Sequence, residues 1–251
     1  MGIRGDRSQA IPKSKLLSLN EIKRRKPKLR WDIRAHVNTI TPELLKAMKN
    51  AGCDRIHSGI EAGNDRMLKV IQKQTTIQQV KQVIQWTKAA DMEVLAYFII
   101  GQPTETADDI EDSIRMPREL QPNYVHFTIF CLYPATLSYL EGLKSGIIKK
   151  DIWKEFATHP TEDFELPYWE ENFNADELRV FLVRAYKSFY SRPGYIVKNL
   201  ARIRSFGEFK RKIKAGLSVI AMKSSKSSIS TLSIRKKAHD IVLLNKPSGE
   251  G

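Results

Sequence analysis

The chain has 251 residues, 41% of them hydrophobic, enough for one sizeable core and an appendage. No run approaches the ~18 uncharged apolar residues of a membrane-spanning helix, and residues 1–15 lack the apolar stretch of a secretory signal. Two cysteines, Cys53 and Cys131, exclude a disulfide framework and fit a reducing, cytoplasmic setting.

The net charge of +14 is unevenly spread. Residues 1–30 carry ten Lys/Arg against two Asp/Glu, residues 31–191 carry 18 against 23, and residues 192–239 carry 13 against the single Glu208. An acidic middle between basic ends points to an anionic partner for the ends, nucleic acid or a lipid surface. The alternative is a solvated basic surface.

The predicted elements run as follows. Residues 29–34 read as a strand. Thr41, Pro42 and Glu43 then supply an N-cap, a proline at the first helical position and an acidic first turn. Leu44, Leu45, Met48 and Ala51 continue at helical spacing, and Gly52 ends that helix. A strand is expected at 55–60, then a helix around Val80, Val83, Ile84 and Thr87. The apolar run 94–100 reads as a strand buried on both faces. A helix at 107–120 follows, led in by Thr104 and Glu105, then a strand at 124–132. Residues 151–169 read as an irregular wrap, and Asn174 opens a helix reaching Tyr190 with a capping-box-like start. Residues 192–222 hold one or two basic helices, broken near Phe206 and Gly207, and the Ser/Lys-rich tail from Lys223 is expected to be disordered.

This alternation predicts an α/β fold with a parallel sheet and right-handed crossovers. In barrels of that kind the active site lies at the carboxyl ends of the strands. Three such ends carry polar or glycine-rich turns: Ser58-Gly59-Ile60-Glu61-Ala62-Gly63, then Gly101-Gln102-Pro103-Thr104-Glu105-Thr106, then Tyr133-Pro134-Ala135-Thr136. Glycine admits close backbone approach, and a carboxylate accepts from amines and hydroxyls. Together they predict one cavity.

In order, the chain reads LRWDIRAHVNTITPELLKAMKNAGCDRIHSGIEAGNDRMLKVIQKQTT, VLAYFIIGQPTETADDIEDSI and PNYVHFTIFCLYPATLSYLEGL. This resembles strands three to six of the radical S-adenosylmethionine (radical SAM) core. It is most similar to the branch whose full-length members often carry a cobalamin-binding domain. The resemblance implies an incomplete TIM-like (β/α) partial barrel over residues 28–145, preceded by a remnant at 1–27 and followed by a basic helical extension at 146–222 and a tail at 223–251. It also implies S-adenosylmethionine and a [4Fe-4S] cluster as cofactors. The cluster's electron cleaves the sulfonium and releases a 5′-deoxyadenosyl radical, which abstracts hydrogen from substrate.

By the same resemblance Glu61 contacts the polar groups of S-adenosylmethionine, Gly59 and Gly63 give it room, and Gly101 and Pro103 lie beside the adenine. Glu61 is alternatively a first-turn helix carboxylate. Arg34, His36 and Tyr133 are candidates to face substrate, with exposed strand ends as the alternative for the first two; His126 fits core packing better. The cluster-binding CxxxCxxC pattern is not found in the sequence, so metal ligands are not expected, and Cys53 and Cys131 read as small buried apolar residues. The reading is therefore a truncated radical SAM domain, inactive by itself, whose missing barrel half comes from a partner polypeptide. The alternative is a non-catalytic remnant or a module that binds nucleic acid or membrane through its basic C-terminal region.

Overall fold

A computed structural model of the chain describes residues 21, 24, 30–162, 164–201 and 206–220. Apart from Glu21 and Arg24, the expectations for residues 1–27 and 223–251 lie outside the described residues.

Four strands, β1 (Trp31–Ala35), β2 (Cys53–Glu61), β3 (Glu93–Ile100) and β4 (Tyr124–Ile129), form one sheet in that order. Every adjacent pair is parallel. Parallel neighbours need crossovers, and the helices supply them. Helix α1 (Pro42–Asn50) follows β1, α2 (Asp65–Val70) and α3 (Ile77–Ala89) follow β2, α4 (Ala107–Leu120) follows β3, and α5 (Leu137–Ser145) follows β4. The α/β partial barrel read from the sequence is the fold.

Local chemistry sets the helix starts. The Thr41 side chain accepts from the Leu44 N–H beside Pro42. Capping boxes open α3 (Thr76 with Gln79) and α4 (Thr106 with Asp109). Helix α4 covers the expected span 107–120, with its cap at Thr106 rather than at the expected Thr104 and Glu105. Thr104 sits at φ 59° and Glu105 folds back onto the preceding turn, so the helix begins only after Thr106.

The two faces of the sheet differ. Val94, Ala96, Phe98 and Ile100 of β3 join Ile56, Ile60, Val125, Phe127 and Ile129 in the main core. Alternation sends the intervening residues to the other face. Register aligns Arg34 with His57, Gly59 with Tyr97, and Tyr97 with His126 across that second face.

Residues 151–169 are less irregular than expected, because α6 (Ile152–Thr158) lies within them, capped by Asp151. Chain beyond it crosses back: Tyr168 bridges Cys131, and Leu132 N–H donates to Pro167 O. Helix α7 (Ala175–Tyr190) then packs along the outer edge of β4. The Tyr186 hydroxyl bonds both N–H and C=O of Phe127, and the Tyr190 hydroxyl bonds both groups of Val125. A helical turn of four residues rises about 6 Å, and two strand residues rise about 6.6 Å. Tyrosines one turn apart therefore meet successive outward-facing peptide groups. Tyr195 of α8 (Pro193–Leu200) continues the row by donating to Asn123 O. One edge of the sheet is thus sealed by hydroxyl groups, while no described strand pairs with the outer edge of β1. Helix α9 (Phe206–Ile220) packs against α7 and ends the described chain.

Candidate functional site

The carboxyl end of β2 carries the most constrained residue of the strand ends. Glu61 lies at φ 74°, a left-handed conformation that costs a non-glycine residue energy and favours functional positions. The pairing slips at the same place, with Gly59 opposite Tyr97 and Glu61 opposite Phe98. The Glu61 carboxylate folds back over Gly59: a Cβ added there would lie 2.3 Å from its Oε1. Gly59 therefore makes room for the Glu61 side chain.

Lys73 Nζ sits 3.0 Å from Glu61 Oε1, and both side chains are mostly buried. His36, at the end of β1, lies within the field of both charges; burial and Lys73 lower its pKa, and Glu61 opposes them. Gln102 Nε2, beyond β3, reaches Ile99 O at 3.0 Å and Glu61 O at 3.4 Å. Ends of β1, β2 and β3 thus converge on a carboxylate–ammonium pair flanked by imidazole and amide. Such a pair can bind a zwitterionic aminocarboxylate group, ammonium against carboxylate and the reverse.

The turn after β3 is held by a buried acid. Glu105 Oε2 accepts from Gly101 N–H at 2.5 Å and Gln102 N–H at 3.0 Å. Burial pushes the Glu105 carboxyl up to about 7, against the lowering effect of those two bonds, and its Oε1 has no hydrogen-bond partner. Neighbouring Asp109 goes the other way. Burial would raise it, but bonds from Arg66, Thr106 and Asn64 hold it well below the usual carboxylate range. Thr104 N–H donates to Glu171 and the Asn172 side chain to Glu105 O, so the segment before α7 ties down the same turn.

Across the second sheet face runs a polar row. Asp32 Oδ2 lies 3.1 Å from His57 Nε2, and His57 Nδ1 lies 3.0 Å from the Tyr97 hydroxyl. Tyr97 meets His126 edge-on at 5.4 Å, and His126 Nδ1 lies 3.0 Å from the Tyr186 hydroxyl. The Arg34 charge bears on both Tyr97 and His57, acting to lower the pKa of each. Burial lowers the His57 pKa despite Asp32, which favours the neutral ring. An anionic Asp32 accepts Nε2–H, which leaves the Nδ1 lone pair for the Tyr97 O–H. A phenol backed by a neutral imidazole and a carboxylate can take a proton from a ligand while passing its own to His57.

Packing and backbone geometry set most of the other expected site residues. A Cβ at Gly63 would lie 2.2 Å from the backbone of Asp112 and Ser113, so Gly63 serves close packing on α4 rather than room for a ligand. Gly101, at φ 76° against Leu178, is required by its backbone and by α7. Pro103 is half-buried in the same turn. Tyr133, expected beside Glu61, stacks on Trp153 in a cluster with Phe156 and Phe164. Lys73, His57, Tyr97 and Asp32 were not singled out by the sequence. Lys73 sits in a loop with no motif, but the period-two placement of His57 and Tyr97 opposite the apolar positions was a usable signal.

Cys53, at the amino end of β2, is buried, and burial pushes its thiol up to about 12. Cys131 follows the carboxyl end of β4. Opposite ends of a parallel sheet cannot offer both thiols to one iron–sulfur cluster, so the cysteines of this chain do not fit that group.

The chain matches the family model described as the Radical SAM superfamily over residues 10–116. It is 30% identical over 177 residues to an uncharacterized methyltransferase of Pyrococcus horikoshii, covering 70% of this chain and 37% of that protein. It is 32% identical over 116 residues to the anaerobic magnesium-protoporphyrin IX monomethyl ester cyclase of Cereibacter sphaeroides, covering 45% and 19% respectively. The chain thus spans less than two fifths of these relatives' length. Coproporphyrinogen III oxidase from Escherichia coli, a radical SAM enzyme, superposes with a TM-score of 0.50 at 12% identity, covering 72% of this chain and 37% of that one; this likeness is one of fold.

Proposed function

We propose that this chain, whose residues 10–116 belong to the radical SAM superfamily, supplies the later strands of an S-adenosylmethionine-dependent barrel whose cluster ligands come from polypeptide outside these 251 residues. The observation that carries this reading is the Glu61–Lys73 pair at the strand ends, with Glu61 held at positive φ over Gly59. Its two charges complement the amino and carboxylate groups of the methionine moiety, and Gln102 offers a further amide. Bound there and reduced by one electron from a cluster held outside these residues, the cofactor would supply radical hydrogen abstraction. Arg34, Tyr97 and His57 on the adjoining sheet face then contact substrate, with Asp32 orienting His57 and Arg34 stabilising negative charge. His36 and Tyr133 remain rim candidates. Free thiols and this chemistry support a reducing, cytoplasmic setting.

The outer edge of β1 is where the missing barrel half would add its strand, since β4 is already sealed by Tyr186 and Tyr190. Co-expression with a polypeptide carrying the first two strand–helix units and a CxxxCxxC loop tests the reading. Under reducing, anaerobic conditions the pair should release 5′-deoxyadenosine from S-adenosylmethionine, and a Glu61→Gln chain should release at least tenfold less. Co-purification with no dependence on Glu61 would contradict the assignment of the site.

A further inference from the structure

The last two described helices carry a surface that the strand-end site does not use. On α9, Phe206 is 82% exposed, Ile213 44% and Leu217 60%. Spacings of seven and four residues put these three on one narrow stripe of a 3.6-residue helix. Val219, two residues past Leu217 and so on the opposite side, is buried, and Lys212 on that inner side donates to Asn199 O of α8. The stripe therefore points away from the body of the protein. On α8, Ile196, Val197 and Leu200 are also exposed, with Val197 at 65%. Lys198, Lys210 and Lys214 are exposed along the same two helices. The surrounding sequence, residues 192–239, has 13 Lys/Arg against one Glu.

We propose that α8 and α9 form an interfacial binding surface for anionic lipid. An apolar stripe bordered by lysines matches a bilayer surface, where acidic headgroups overlie an apolar layer. Nucleic acid would satisfy the lysines but gives Phe206, Ile213 and Leu217 nothing apolar to enter. No helix among the described residues is long and apolar enough to cross a membrane. The helices accordingly lie in the surface plane, apolar side chains in the headgroup boundary and lysines at the phosphates. This inference is independent of the strand-end reading.

The test uses the full chain and sedimentation with vesicles of phosphatidylcholine alone or mixed with phosphatidylglycerol, at low and high salt. The chain should partition onto the mixed vesicles, less so at high salt, and hardly onto the neutral ones. Combined Lys198→Glu, Lys210→Glu and Lys214→Glu should weaken partition on the order of a hundredfold, at about fivefold per lysine removed. Combined Phe206→Ser, Ile213→Ser and Leu217→Ser should also abolish it. Should either variant melt abnormally by circular dichroism, Phe206→Trp in the otherwise native chain carries the test, and its emission should shift blue on mixed vesicles. Absence of a blue shift and of sedimentation overturns the proposal. So does binding of single-stranded RNA, without vesicle binding, that survives the serine changes, or self-association that those changes abolish while vesicle binding is absent.

Discussion

The Tyr97 hydroxyl lies 3.0 Å from His57 Nδ1, on the side of the ring opposite the Asp32 carboxylate at Nε2. Asp32 at Nε2 selects the Nε2–H tautomer and so leaves Nδ1 to accept from the phenol. Asp32→Asn removes the carboxylate that pulls the His57 pKa upward, so that pKa should fall further. Nitrogen-15 NMR of the imidazole should show the Nε2–H form in the native chain and a shift toward Nδ1–H in the variant. An unchanged tautomer would mean that Asp32 does not orient the ring.

The same ring gives stability a dependence on pH. Burial lowers the His57 pKa below its ordinary 6.5, so the folded state binds a proton less readily than the unfolded chain. Its contribution is full above pH 6.5 and declines as pH falls through that value. His57→Gln should flatten the acid side of a urea-denaturation profile in this window.

Glu105 acts with the opposite sign. Its folded-state pKa of about 7 exceeds the ordinary 4.5, so stability falls as pH rises from 4.5 to 7 and stays lower above it. A shift of that size corresponds to roughly 3 kcal/mol. Glu105→Gln keeps an acceptor for the Gly101 and Gln102 amides without a charge. Denaturation at pH 8 should find it more stable than the native chain by about 1–3 kcal/mol, with the alkaline loss removed. A destabilised variant with an unchanged pH profile would contradict the assignment.

Two glycines at one strand end should respond differently. Gly63→Ala drives a Cβ into the α4 backbone, which cannot yield cheaply, and should cost about 3 kcal/mol or more. Gly59→Ala meets only the flexible ends of Glu61 and Lys73, so stability should change by about 1 kcal/mol or less. It should, however, displace the carboxylate from Lys73. Thermal melts of both variants separate the cases.

The tyrosine row can be tested by deleting single oxygens. Tyr190→Phe leaves the N–H and C=O of Val125 without their partner in a buried setting. Such a loss costs about 1–3 kcal/mol. Amide exchange at Val125 should quicken in Tyr190→Phe, whereas Ile56, inside the sheet, should be unaffected beyond the global change.

The strands were legible because apolar alternation and caps such as Thr41-Pro42 report local requirements. Their parallel order followed from the intervening helices. The pairing of Glu61 with Lys73 was not legible, since it joins a strapped strand end to a loop twelve positions away with no periodic signal. Gly63 misled because glycine beside a ligand and glycine beside a helix backbone look alike in sequence; only the contact with Asp112 and Ser113 separates them. The short helix Ile152–Thr158 was hidden among aromatics and bulky turns, where its Asp151 cap gave the one local cue.

The central claim is that the ends of β1, β2 and β3 receive an aminocarboxylate-bearing adenosyl ligand. Backbone NMR of the full chain titrated with S-adenosylhomocysteine tests it most directly. Amide shifts should concentrate at His36, Glu61, Lys73, Gly101 and Gln102, and should weaken at least tenfold in ligand concentration in Glu61→Gln. Shifts confined to residues away from these strand ends, or identical titrations in the native and Glu61→Gln chains, would contradict the account.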